Sequence, residues 1–124
     1  MPSKILVVDD EQGFLEIIEG RLKAAGYEVR TATNGEDAMK LIREDKPGLI
    51  IADLTMPGMN GFELSRVVKT DPNFKNIPMI LLSGLVQEDS EAEGLQKGDF
   101  YMAKPLDFKR LSAKIKDFLG EDPA

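Results

Sequence analysis

An alternation most constrains what this chain can fold into: short, apolar, β-prone runs separated by stretches in which apolar residues recur at helical spacing. The runs are KILVV, YEVRTA, GLIIA, IPMILL and DFYMA. Between them Phe14, Ile18, Leu22 and Ala25 keep helical spacing, as do Ala38, Leu41 and Ile42, then Leu64, Val67 and Val68, and finally Leu111, Ile115, Phe118 and Leu119. Such alternation winds a parallel sheet with helices on both faces. The runs at 5–8 and 49–52 are apolar throughout, as burial of both sheet faces requires. By contrast Tyr27, Val29 and Thr31 alternate with Glu28 and Arg30, which marks the second strand as an edge. The 124 residues suit one ordinary domain. The reading is an α/β, doubly wound, five-stranded parallel sheet with five helices over 1–120, followed by a short tail at 121–124.

Right-handed crossovers leave few arrangements for such a sheet, and the flavodoxin-like order 2-1-3-4-5 is a common one. In that order the first and third strands are neighbours, and their carboxyl ends carry Asp9, Asp10 and Asp53. Open α/β sheets bind ligands in the crevice at that edge. Two carboxylates ~4 Å apart repel by about 4 kcal/mol at an effective dielectric near 20, a large share of a small domain's stability. A cation is therefore needed. Oxygen-only donors suit a hard divalent ion, with Mg²⁺ the first choice and Mn²⁺ an alternative. The fourth and fifth strands end in Ser83 and Lys104. Each group alone has a plain explanation, the aspartates as caps of the first helix and the other two as solvated strand ends. Their coincidence at one sheet edge favours a site.

Composition narrows the chemistry. With no cysteine and no histidine, the chain cannot form a disulfide, a thiolate or imidazole metal centre, or a histidine base. A formal charge of −6 disfavours nucleic-acid backbones and anionic membranes as direct partners. No apolar run approaches the roughly 18 residues that span a bilayer, and the expected location is the cytoplasm.

The segments VVDDE at 7–11, LIIADLTMPGMNGFEL at 49–64, MILLSG at 79–84 and YMAKP at 101–105 together resemble a response-regulator receiver domain, of the chemotaxis-regulator type. The resemblance implies a phosphorylation-activated switch in a two-component phosphorelay rather than a conventional enzyme. It implies Asp53 as phosphoacceptor, Asp10 and Asp53 as direct Mg²⁺ ligands with the Thr55 carbonyl, and Asp9 acting through metal-bound water. It further implies that Ser83 and Lys104 hold phosphoryl oxygens, that Ser83 and Tyr101 form the switch, and that the Lys104–Pro105 bond is cis. Lacking histidine, the chain takes its phosphoryl group from a histidine kinase, a histidine phosphotransfer protein or a small phosphodonor, and passes the signal to a downstream protein or output domain. An acidic stretch at 88–93 and a basic one at 104–116 suggest a phosphorylation-dependent homodimer, the acidic helix of one copy facing the basic helix of the other.

Two departures from the family pattern stand out. Ser83 and Lys104 are 21 residues apart, one fewer than is commonest, and KGDFY replaces the usual small-residue turn before the last strand. Among rivals, a haloacid-dehalogenase-type phosphatase requires a second acid where Thr55 stands, and a flavodoxin-like carrier would set its cofactor phosphate against Asp9 and Asp10. The alternative that keeps the fold is a pseudo-receiver, a protein-interaction module that works without phosphorylation.

Overall fold

The computed structural model describes residues 3–56, 58–84, 90–91, 100–104 and 106–120. Chain order is β1 (Lys4–Val8), α1 (Gln12–Ala24), β2 (Glu28–Ala32), α2 (Gly35–Glu44), β3 (Leu49–Asp53), α3 (Gly61–Thr70), β4 (Met79–Ser83), β5 (Ser90–Glu91), β6 (Phe100–Ala103) and α4 (Phe108–Leu119). The sheet runs β2-β1-β3-β4-β6-β5. Its five parallel strands thus follow the 2-1-3-4-5 order, with β6 in fifth place and β2 at the edge, as the alternation predicts.

Because successive strand residues point to opposite faces, the apolar runs supply two cores at once. Ile5, Val7, Leu49, Ile51, Ile80 and Leu82 meet Leu15, Ile18 and Leu22 of α1 and Leu111 and Ile115 of α4. On the other face Leu6, Val8, Ile50, Ala52, Met79 and Leu81 meet Ala38, Met39 and Ile42 of α2 and Leu64 and Val68 of α3. The helical stripes hold with local shifts. In α1 the buried position is Leu15 while Phe14 packs half-buried beside it, and Val67 of α3 faces outward.

Three helices begin on the side-chain caps that their sequences offer: Asn34 accepts from the Asp37 amide at 2.8 Å, Asn60 from Glu63 at 2.9 Å and Asp107 from Lys109 at 2.8 Å. Gly26, at φ +101, makes the left-handed turn that brings α1 round into β2.

Four helices form among the described residues, rather than the five expected. The expected acidic helix at 88–93 lies mostly outside the described residues. Its two described residues, Ser90–Glu91, pair antiparallel with β6 and so correct the helical reading there. The physical reason is in the segment itself: like charges at helical spacing, a following glycine and few apolar residues give weak helix stability, and the β6 edge offers an unpaired hydrogen-bonding row. The acidic dimer helix therefore has no counterpart among the described residues. Pro105, for which a cis bond was expected, and the tail at 121–124 also lie outside them.

Candidate functional site

The carboxyl ends of β1, β3, β4 and β6 converge because all four strands run parallel and in register. Asp53 pairs with Leu82 across the sheet, and Ser83 with Ala103. The ends are stitched together past the last ladder rungs. Leu54 N–H donates to the Leu82 carbonyl at 3.0 Å, Lys104 N–H to Ser83 at 2.9 Å, and Asp9 N–H to Ala32 at 3.1 Å.

Asp9, Asp10 and Asp53 each place a carboxylate oxygen within 4.8 Å of the others. Asp9 and Asp53 are 2% and 3% exposed, whereas Asp10 faces solvent. The capping explanation for the pair is half right. Asp9 Oδ1 accepts from the Glu11 amide at 2.9 Å at the entrance to α1, where Glu11 itself supplies no side-chain cap. That bond uses one oxygen and leaves the other for the cluster.

Both oxygens of Asp53 are engaged. Lys104 Nζ donates to Oδ2 at 2.7 Å, and Thr55 approaches Oδ1 twice, from its amide at 3.0 Å and its hydroxyl at 3.2 Å. Burial pushes the Asp9 carboxyl up to about 6, with the charges of Asp53 and Asp10 adding to it, while the Glu11 amide and Lys104 oppose. Burial pulls the other way on Lys104, but the hydrogen bond and charge of Asp53, helped by Asp9 and Glu11, hold its ammonium above the usual lysine value. Three carboxylates facing one ammonium leave excess negative charge, and the donor set is oxygen only. These residues fit a hard divalent cation.

Ser83 is buried at 1% exposure on the β4 end, between the Asp53 and Lys104 strands. Tyr101 is half-buried against the core on the α2 and α3 side. The fold thus brings Asp9, Asp10, Asp53, Thr55, Ser83 and Lys104 to one edge, with Tyr101 three residues before Lys104 on the same strand.

Two supporting residues escaped the sequence reading. Gly61 opens α3 so close to β3 that an added Cβ would lie 2.4 Å from the Asp53 carbonyl oxygen and 2.9 Å from its carbon. Its signal was a glycine immediately after the Asn60 cap, a poor helix former where a better one was free to stand. Gly61→Ala is expected to destabilise the protein by about 1–3 kcal/mol, because the atoms it strikes are backbone at a packed strand end and cannot rotate away. Urea unfolding measures this, and a loss below experimental error would show that the β3 end can retreat. The second residue is Arg110 of α4, whose Nη2 donates to the Ala103 carbonyl at 2.9 Å.

Known proteins resemble the chain in sequence and in fold. The family model described as the response regulator receiver domain matches residues 5–116. The chain is 37% identical over 117 residues to the response regulator PleD of Caulobacter vibrioides, covering 94% of this chain and 26% of that protein. It is 30% identical over 122 residues to the polar-differentiation response regulator DivK of Brucella anthropi, covering 98% and 99% of the two. The solved receiver domain of a signal transduction histidine kinase from Syntrophus aciditrophicus superposes with a TM-score of 0.82 at 30% identity, covering 94% of this chain and 89% of that one. The chain spans from a quarter to about half the length of most of the curated relatives it matches.

Proposed function

The chain belongs to the response regulator receiver family, and from that premise we propose that it is a phosphorylation-activated switch accepting a phosphoryl group on Asp53. Members of this family are signalling switches rather than conventional enzymes, and they work with histidine kinases and output domains. The donor proposed here is a phosphohistidine on a kinase or phosphotransfer protein, and the site of action is the cytoplasm. No helix among the described residues is long and apolar enough to cross a membrane.

The observation that carries the proposal is the 2.7 Å contact of Lys104 with a buried Asp53, beside the carboxylates of Asp9 and Asp10. In the transfer, a bond forms between an Asp53 carboxylate oxygen and phosphorus as the bond from phosphorus to the donor imidazole nitrogen breaks. The imidazole leaves with the electron pair. Lys104 exchanges its contact with Asp53 for one with a phosphoryl oxygen, and the Ser83 hydroxyl donates to another, so charge on those oxygens is met by groups already in place. The Thr55 amide keeps Asp53 aimed. Asp9, Asp10, Asp53 and the Thr55 carbonyl would hold Mg²⁺, which when bound supplies the positive charge that lets two anions approach. Ser83 and Tyr101 then relay the change, as the family resemblance implies.

Incubation with acetyl phosphate and Mg²⁺ is expected to add the mass of one phosphoryl group. Asp53→Asn should gain none, and EDTA should prevent the gain in the parent. An unmodified parent would favour the pseudo-receiver reading instead.

A further inference from the structure

Lys104 carries its ammonium on a flexible four-carbon stem, so the contact with Asp53 is only as well placed as the backbone from which the stem starts. That backbone is the Ala103–Lys104 peptide, and it is held at both ends. Its N–H donates to the Ser83 carbonyl on β4 at 2.9 Å, and its carbonyl accepts from Arg110 Nη2 at 2.9 Å. Arg110 stands in the first turn of α4, which has no acidic residue. A cation at a helix N-terminus works against the helix dipole, so this position is not explained by helix stability. Docking of α4 does not need Arg110 either, since Leu111 and Ile115 are fully buried in the apolar core. The arginine does reach back seven residues to the last carbonyl of β6, which is also the carbonyl immediately before the lysine of the site.

We infer that Arg110 is a positioning residue for phosphoryl transfer, clamping the Ala103–Lys104 peptide from α4 so that the Lys104 ammonium keeps its place beside Asp53. The inference rests on the receiver reading above. It also assigns α4 a direct mechanical tie to the phosphorylation site, so that displacement of this helix by a bound partner would be felt at Lys104.

The test is a rate measurement with a double-mutant cycle. Initial rates of phosphorylation by acetyl phosphate at saturating Mg²⁺ are followed by mass for the parent, Arg110→Ala, Lys104→Ala and the double variant. Lys109→Ala serves as a control that removes the same charge one residue away. Arg110→Ala is expected to lower the rate roughly fivefold, by misplacing a group that must meet the phosphoryl oxygens. Lys109→Ala should leave it unchanged, and Arg110→Ala should have no further effect once Lys104 is gone. If Arg110→Ala unfolds at the assay temperature, Arg110→Gln, which retains a donor without charge, takes its place and should give a smaller loss of the same pattern. An Arg110→Ala rate equal to that of Lys109→Ala would overturn the inference. So would an equal loss in the presence and absence of Lys104, since a merely structural role acts in both backgrounds. A parent that takes no phosphoryl group would remove the functional reading and this inference with it. A parent that is phosphorylated with no Arg110 effect would remove this inference alone.

Discussion

Lys104→Met is expected to destabilise the metal-free protein by about 2–3 kcal/mol and to slow phosphorylation by roughly a hundredfold. The stability loss follows from what is left behind. Asp53 is 3% exposed, and without the 2.7 Å ammonium its Oδ2 is a buried carboxylate oxygen facing the charges of Asp9 and Asp10. Breaking such a pair from one side costs more than the pair contributes, because the remaining charge keeps its desolvation penalty. The lysine side chain is 30% exposed, which places the expected cost at the low end for buried pairs. The same substitution in an Asp53→Asn background should be nearly neutral, since a carboxamide needs no counter-charge. The raised Lys104 value confers stability that is complete below the ordinary lysine range and is lost only as pH rises above it, so Lys104 itself adds no pH dependence below about pH 9. The difference should shrink only toward acid pH, where Asp9, which Lys104 helps to keep ionised, takes up its proton. Urea titrations of the four proteins in EDTA decide the matter. Equal losses in both backgrounds would mean that Lys104 acts on stability by some route other than Asp53.

How far the chain could be read in advance depended on whether the governing interaction was local. The strands were legible because burial on both faces forces unbroken apolar runs, and β1, β3 and β4 are such runs apart from Lys4, Asp53 and Ser83 at their ends. The site was legible for a related reason. Once topology brings β1, β3, β4 and β6 side by side, the residues ending them must meet, and Asp9, Asp53, Ser83 and Lys104 are those residues or their immediate neighbours. Less legible was anything that depends on one distant atom meeting another. Nothing local says that Gly61 must leave room for the Asp53 carbonyl, or that Arg110 reaches the Ala103 carbonyl. Lys69 makes the same point. Its position in α3 reads as solvent-facing, yet it is 6% exposed and its ammonium donates to the Ile77 and Lys75 carbonyls in the connection to β4. A long stem let it cross the helix flank, and hydrophobic period alone does not register that. The two-residue β5 was missed because its pairing is set by the open β6 edge rather than by its own residues.

Metal and pH should act on stability in opposite directions, and the sign is fixed by Asp9. Its carboxyl titrates near 6 in the folded protein against an ordinary value of 3.8, so the folded state holds the proton more tightly than the unfolded state. In the absence of metal the penalty is absent well below pH 4, has reached roughly half by pH 5, and is complete above about pH 7, amounting to about 3 kcal/mol. In EDTA the melting midpoint should therefore fall by about 6 °C from pH 5 to pH 7.5. With Mg²⁺ present the trend should weaken or reverse, because a cation bound by carboxylates requires them ionised and binds only the folded arrangement. Asp9→Asn separates the causes. It should raise the metal-free midpoint at pH 7.5, flatten its pH dependence, and greatly reduce the shift that Mg²⁺ produces. The comparison is made at matched ionic strength, since NaCl also screens the cluster, though less than a bound ion does. A Mg²⁺ shift no larger than the NaCl shift, or an unchanged pH profile in Asp9→Asn, would mean that this cluster of carboxylates is neither the cation site nor the source of the strain.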